Sequence, residues 1–497
     1  MSFISVESRV SGKPNRSNHT SEFSAGEFSV VILGDFSGRA SRAVSLPLSR
    51  LVPVDRDNFF DLFSAFDIKL KLPFDEQPIE FKDFEHLHPD YLLDQLAIFA
   101  KFRQWQRKAL KPEHFESLLE ELRAAKVWDD QAASVQTDLQ ANAHTSAEKA
   151  DMSADFLLEQ VLNQGVEGSA QTDVEQLIRS IVAPYATLKA DIRLSEVQNA
   201  INQAMAQTLR SILHHGHFHN LEATWRSLYF FVRRIASDNG IKIWLLDISE
   251  AELAQASQEE PTQSALYDLL VKQRQAAGQS AHNLIINLFA ADSNLTSLNW
   301  LKTLAAIAAA NNGACVGAAN PNIAGCSNLI GMPDPSQWQG PPEDFATAWQ
   351  SFRASADAAH LALTAPRFLL RTPYGKKSSP IETFDFTEMI TEGNHQHYLW
   401  GNSGVLVGVV LAELWLNGKG VINSAAASQI DQLPIHVEKT AAGEQLIPSA
   451  EIVILDSTVA ALRAAGLLVV RSIYNKNAVL IPLLNSCAAD GALLYSR

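Results

Sequence analysis

Cysteine is scarce in this chain of 497 residues: Cys315, Cys326 and Cys487 are the only three. An odd number with no CxxC spacing gives neither a disulfide framework nor a thiolate zinc site, so a reducing compartment is expected. Positive charge is also in deficit. Forty Lys and Arg face 55 Asp and Glu, a net charge of -15, the wrong sign for a protein that lives on nucleic acid or anionic lipid. Long apolar runs are missing as well. The longest, Val405 to Leu416, is interrupted by Gly408 and Glu413 and is too short for a bilayer, and MSFISVESRVSGKPNRSNHTSEF at the start has no signal-peptide core. These absences predict a soluble, cytoplasmic protein that neither inserts in membranes nor binds nucleic acid.

What is present is apolar mass, 46% of the chain, enough for more than one packed domain. FSVVIL (Phe28 to Leu33), stopped by Gly34 and Asp35, reads as a buried strand entering a turn. A helix is expected after Asp55 to Asn58 over NFFDLFSAF, and another from Pro89 to about Lys108, with Leu92, Leu96, Phe99 and Phe102 on one stripe. Residues 1–24 read as a flexible tail, 25–123 as a first domain and 124–172 as a polar linker. Within the linker DFLLEQVLNQG places Phe156, Leu157, Leu158, Val161 and Leu162 at helical spacing, either a docking helix or one folded back on its own domain.

Residues 173–497 read as a larger domain. A long helix, broken near Gly216 and capped by Asn220, carries Leu221, Trp225, Leu228 and Val232 on one face. IKIWLLDI (Ile241 to Ile248), NLIINLF (Asn283 to Phe289) and ACVGAA (Ala314 to Ala319) alternate with helical segments around 251–277 and 295–310, the pattern of βαβ units in a largely parallel sheet. Further strands are expected at EIVIL (451–455), LLVVRSIY (467–474) and AVLIPLL (478–484), forming a small mixed sheet. The fold class predicted is α/β, mixed α+β, with a partly parallel sheet flanked by helices.

Catalytic patterns are not found. Gly34-Asp35-Phe36-Ser37-Gly38-Arg39 follows a strand but lacks the GK[ST] ending of a phosphate loop, so an ordinary turn is the plainer reading. His214, His215, His217 and His219 cluster without an HExxH glutamate, and helix entry or packing suits them, like His395 and His397, better than metal ligation. Gly401-Asn402-Ser403-Gly404 is not GxSxG and suits helix capping. No cofactor, metal or catalytic residue is expected.

Several ordered blocks carry a family resemblance. GDFSGR (Gly34 to Arg39), PVDRDNFFDLFSAFDIKL (Pro53 to Leu70) and FEHLHPDYLL (Phe84 to Leu93) resemble the small subunit of the type VI secretion contractile sheath. LHHGHFHNLEATWRSL (Leu213 to Leu228), ANPNI near Pro321, PRFLLRTPYG (Pro366 to Gly375) and YLWGNSG (Tyr398 to Gly404) resemble the large subunit. The resemblance implies a fusion of the two, acting in assembly and contraction rather than as an enzyme. It implies sheath or baseplate subunits as partners, with an inner tube protein and a AAA+ recycling unfoldase whose handle is the helix around Phe156 to Leu162. The large subunit continues past the block resembling Leu446 to Leu484 into a helical region and a strand that augments a neighbour's sheet. This chain stops at Arg497, which motivates the alternative of an accessory protein that binds, caps or regulates sheath or baseplate without polymerising. Arg367 and Arg371 are suited to planar ion pairs, within the domain or across an interface, and Trp225 and Leu228 to a core.

Overall fold

A computed structural model describes residues 20–22, 27–45, 50–73, 77–109, 117–118, 121, 194–235, 240–390, 395–440 and 443–495. The docking helix expected at Phe156, Leu157, Leu158, Val161 and Leu162 lies outside the described residues, as does the whole of the expected linker. The chain divides into two compact units. One comprises Met1–Phe66, Leu221–Thr372 and Thr391–Arg497, the other Asp67–Asn220 and Pro373–Ile390.

The first unit is built on a seven-stranded sheet: β1 (Phe28–Gly34), β2 (Val52–Val54), β3 (Ile241–Asp247), β4 (Leu284–Ala291), β5 (Ala314–Ala319), β6 (Leu361–Ala365) and β7 (Leu467–Val469). The spatial order is β7-β6-β5-β4-β1-β3-β2, parallel throughout except for β2, which runs antiparallel to β3 at one edge. Pro53 suits that edge, where a missing N–H breaks no ladder. All seven residues of β1 are buried, as a strand covered on both faces requires.

The two covering layers can be told apart by strand alternation. Val31, Leu33, Ile285, Cys315 and Leu363 share a core with Leu298, Leu301, Leu304 and Ala305 of the helix Leu295–Ala310. Ile286, next along β4 and therefore on the opposite face, lies where a side chain at Gly408 of the helix Gly404–Asn417 would intrude. That second helix is buried almost all round, which explains why its sequence is apolar without a polar stripe. At its start a Cβ on Gly404 would come within 2.7 Å of the Gly317 Cα, so only glycine lets the helix end approach β5 this closely. Among the described residues no helix is long and apolar enough to cross a membrane.

The second unit pairs Ile68–Leu70 with Ile79–Phe81 as an antiparallel hairpin. The helix Ala97–Ala109 buries Ile98, Phe99, Phe102 and Trp105 and packs on Leu194–Leu213, joined by Gln106 Nε2 to Asn202 Oδ1 at 2.7 Å.

Several elements differ from expectation. Strand β1 lies between β3 and β4, so Phe28–Gly34 belongs to the same sheet as the strands from Ile241 onward. The helix over NFFDLFSAF shrinks to Leu62–Ala65, and the one from Pro89 breaks at Leu96, whose ψ of 132° is extended. Asn220 is interior to the helix Gly216–Arg234 rather than its cap. EIVIL is not a strand, because Glu451 has a φ of 26° and turns the chain. LLVVRSIY splits between β7 and Arg471–Ser472, which joins Ser428–Ile430 and Val479–Ile481 in a three-stranded antiparallel sheet. Strand β6 and the hairpin His436–Thr440 with Gly443–Ile447 were not anticipated.

Candidate functional site

Three charge clusters in the first unit take in Asp35, Arg39, Arg367, Arg371 and His395 of the residues singled out in the sequence. The first lies at the carboxyl ends of β1 and β3. Asp247, the last residue of β3, accepts the backbone N–H of Phe36 at 2.8 Å and of Ser37 at 3.0 Å through Oδ1. Its other oxygen pairs with Arg39, whose guanidinium also donates to the Asp247 carbonyl at 2.7 Å and to Glu252 Oε1 at 3.2 Å. Glu252 is held by a reciprocal capping box with Ser249. Asp35 accepts the N–H groups of Arg39 and Ala40, both at 2.9 Å. Burial pushes the Asp35 carboxyl up to about 6, and the nearby Asp247 adds to that shift against the two backbone donors. Four N–H groups that a phosphate loop would point at its ligand are thus bonded to the protein's own carboxylates.

The second cluster places Arg371 on Glu222, with Nε to Oε1 at 2.7 Å and Nη2 to Oε2 at 3.1 Å, while Arg226, one helical turn from Glu222, also donates to Oε1 at 2.7 Å. Glu222 is fully buried. The third surrounds Glu451, which accepts the Arg367 backbone N–H at 3.1 Å and pairs with its guanidinium, while His395 Nε2 stands 3.6 Å away. Burial alone would raise the Glu451 carboxyl, yet His395 and Arg367 together hold it down at about 2. Arg367 also lies over the Trp400 ring at 5.9 Å. Arg367 and Arg371 are therefore both engaged in ion pairs within this unit.

Trp225 anchors the first of these regions from below. Its Nε1 donates to the Phe36 carbonyl at 2.9 Å, and its ring lies 4.1 Å from Phe63 and 5.5 Å from Phe36. Leu228 is fully buried beside it in the same helix. Ser403 Oγ lies 2.7 Å from Thr364 Oγ1, with no base attached, and the Asn402 side chain accepts the Gly404 N–H at 2.9 Å. In the second unit His217 donates its backbone N–H to His215 Nδ1 at 3.3 Å, and His214 faces Glu388 at 3.6 Å. Among the described residues no group of three or more His, Cys, Asp and Glu could hold a metal ion. Sequence reasoning missed Asp247, Glu222 and Glu451. Each completes a cluster from a distant part of the chain, and nothing local marks it.

A mainly parallel sheet flanked by helices, with its buried charges directed at one another, defines an α/β protein whose ionised groups brace its own fold. Residues 195–488 match the EvpB/VC_A0108 tail sheath N-terminal domain, and the chain belongs to that tail sheath family. It is similar to the type VI secretion system sheath protein TssC1 of Pseudomonas aeruginosa, 26% identical over 290 residues. That alignment covers 56% of this chain and 58% of the relative, so the chain spans somewhat over half the relative's length.

Proposed function

We propose that this chain is a structural subunit of a type VI secretion contractile sheath or related injection machine, and that it works by assembly and by switching between two packings rather than by catalysis. The observation that carries the reading is the family match over 195–488, which takes in β3 to β7 and both covering helices. We further infer that the N-terminal block plays the small subunit's part. The central placement of β1 supports this: a strand outside the family match pairs along its whole length with β3 inside it. Phe36, Phe59, Phe63 and Phe66 around Trp225 support it equally.

Partners on this reading are sheath or baseplate subunits, further copies of the chain, an inner tube protein and a recycling unfoldase, with the protein resident in the cytoplasm. The helical island of Phe156, Leu157, Leu158, Val161 and Leu162 is proposed as the unfoldase handle; retention of unfoldase binding after Leu157→Asp and Leu158→Asp removes that assignment. The main test is negative-stain microscopy of the concentrated protein, alone and with authentic sheath subunits. Tubules or incorporation along the sheath wall support the subunit role. A single copy at sheath ends assigns the capping role instead.

A further inference from the structure

We propose that a pocket between the helices Glu343–Arg353 and Asp456–Ala464 and the loop 485–491 binds a small oxyanion, either a phosphate or the carboxylate of an acidic side chain. The cavity is about 390 Å³ and is lined by Arg353, Arg463, Asn485, Ser486 and small residues, with no carboxylate in its wall among the described residues. Two guanidinium groups, one half-buried and one exposed, thus face one cavity with no acidic partner among the described residues, in a chain of net charge -15.

Arg353 is fixed in place. Its Nε donates to the Cys487 carbonyl at 2.9 Å and its Nη1 to the Ala464 carbonyl at 2.8 Å. The seat is made by Gly466, at a φ of 92°, where a Cβ would come within 2.8 Å of the Arg353 Nε. Neither bond uses Nη2, so that edge of the fork is available to a ligand.

Arg463 is different: it is exposed, and among the described residues its guanidinium has neither a hydrogen bond nor an ion pair. Capping the helix that carries it does not account for it. The terminal carbonyls of Ala464 and Ala465 are already taken by Arg353 and by the Trp349 Nε1 at 3.0 Å. Both helices point their C-terminal ends toward this region, and these oppose an anion. Two ends of about half a negative charge each still leave about one net positive charge from two guanidinium groups. The nearest loop acid, Asp490, accepts the Ala492 N–H at 3.0 Å and is not part of the wall. Planar guanidinium donors match the geometry of phosphate and carboxylate, and the volume suits a small ligand.

The test is calorimetric titration of the full chain with inorganic phosphate and, separately, with N-acetylglutamate amide, in the wild type and in Arg463→Gln. Saturable one-site binding of either probe, weakened roughly tenfold in Arg463→Gln by loss of charge-assisted bonds, is the expected result. Phosphate alone identifies a free anion as the source, and the glutamate probe identifies a side chain. The unliganded melting midpoint should not change, since Arg463 has no contact to lose. Absence of saturation with both probes, or binding indifferent to Arg463→Gln, overturns the proposal.

Discussion

Two carboxylates of the first unit, the half-buried Asp35 and the buried Glu451, move in opposite directions, one up to about 6 and the other down to about 2. Loss of solvent raises both, and the more buried one moves down, so burial does not explain the difference. What differs is the company each keeps. Asp35 shares its turn with Asp247, and the one nearby guanidinium, Arg39, is already committed to Asp247 and Glu252. Glu451 has Arg367 and His395 to itself. The cations differ too, since the side chain of Arg39 is 6% exposed and that of Arg367 is 40%. Counting ion pairs would rate the two places alike, whereas the arrangement of charges makes one frustrated and the other relaxed.

The sharpest way to break this comparison is Asp247→Ala. It leaves a buried guanidinium with Glu252 but without its closer carboxylate, and two N–H groups without their acceptor, and a loss of about 3–5 kcal/mol in chemical denaturation is expected. A loss below about 1 kcal/mol would show that Arg39 finds water or another partner.

Next in size is the pH profile of stability. Asp35 has a folded value of about 6 against an ordinary 3.8, so the folded chain holds that proton more firmly. Stability from this group therefore falls as pH rises from about 4 to 6, by on the order of 3 kcal/mol. Glu451 acts with the reverse sign: its contribution is complete above 4.5 and is lost as pH drops toward 2. Denaturation midpoints across pH 3 to 8 in wild type and Asp35→Ala should show the slope between about 4 and 6 vanish in the variant. A slope that persists there assigns it to another group.

Glu451→Gln should cost less, about 2 kcal/mol at neutral pH, because water still reaches Arg367. The same variant should lose part of the acid sensitivity below pH 4.5. Smallest is Arg367→Lys, expected at about 0.5–1 kcal/mol for loss of the planar fork and of the Trp400 contact. A cost equal to that of Glu451→Gln would place most of the interaction in fork geometry rather than in charge.

Legibility followed the range of the forces involved. β1, β3, β4 and β5 could be read because a doubly covered strand needs a continuous apolar run, and each has one. β6 escaped because Leu361–Ala365 follows an alanine-rich stretch, Ala354 to His360, that blurs any strand signal. The hairpin at 436–447 escaped because HVEKT and GEQLI are half polar. EIVIL misled in the other direction: its composition is strand-like, but Glu451 adopts a left-handed backbone and meets Arg367, 84 residues away. The arginines were visible as ion-pair donors, and their acceptors were not, since only the finished sheet brings them together.

The central position of β1 has a consequence for biosynthesis. This ribbon leaves the ribosome well before its two neighbours, which begin only at Ile241 and Leu284. Seven residues destined for complete burial thus precede their lateral partners by about 200 residues, and pairing this distant in sequence is slow. The lateral pairing of β1 is complete only when β3 and β4 have emerged on either side.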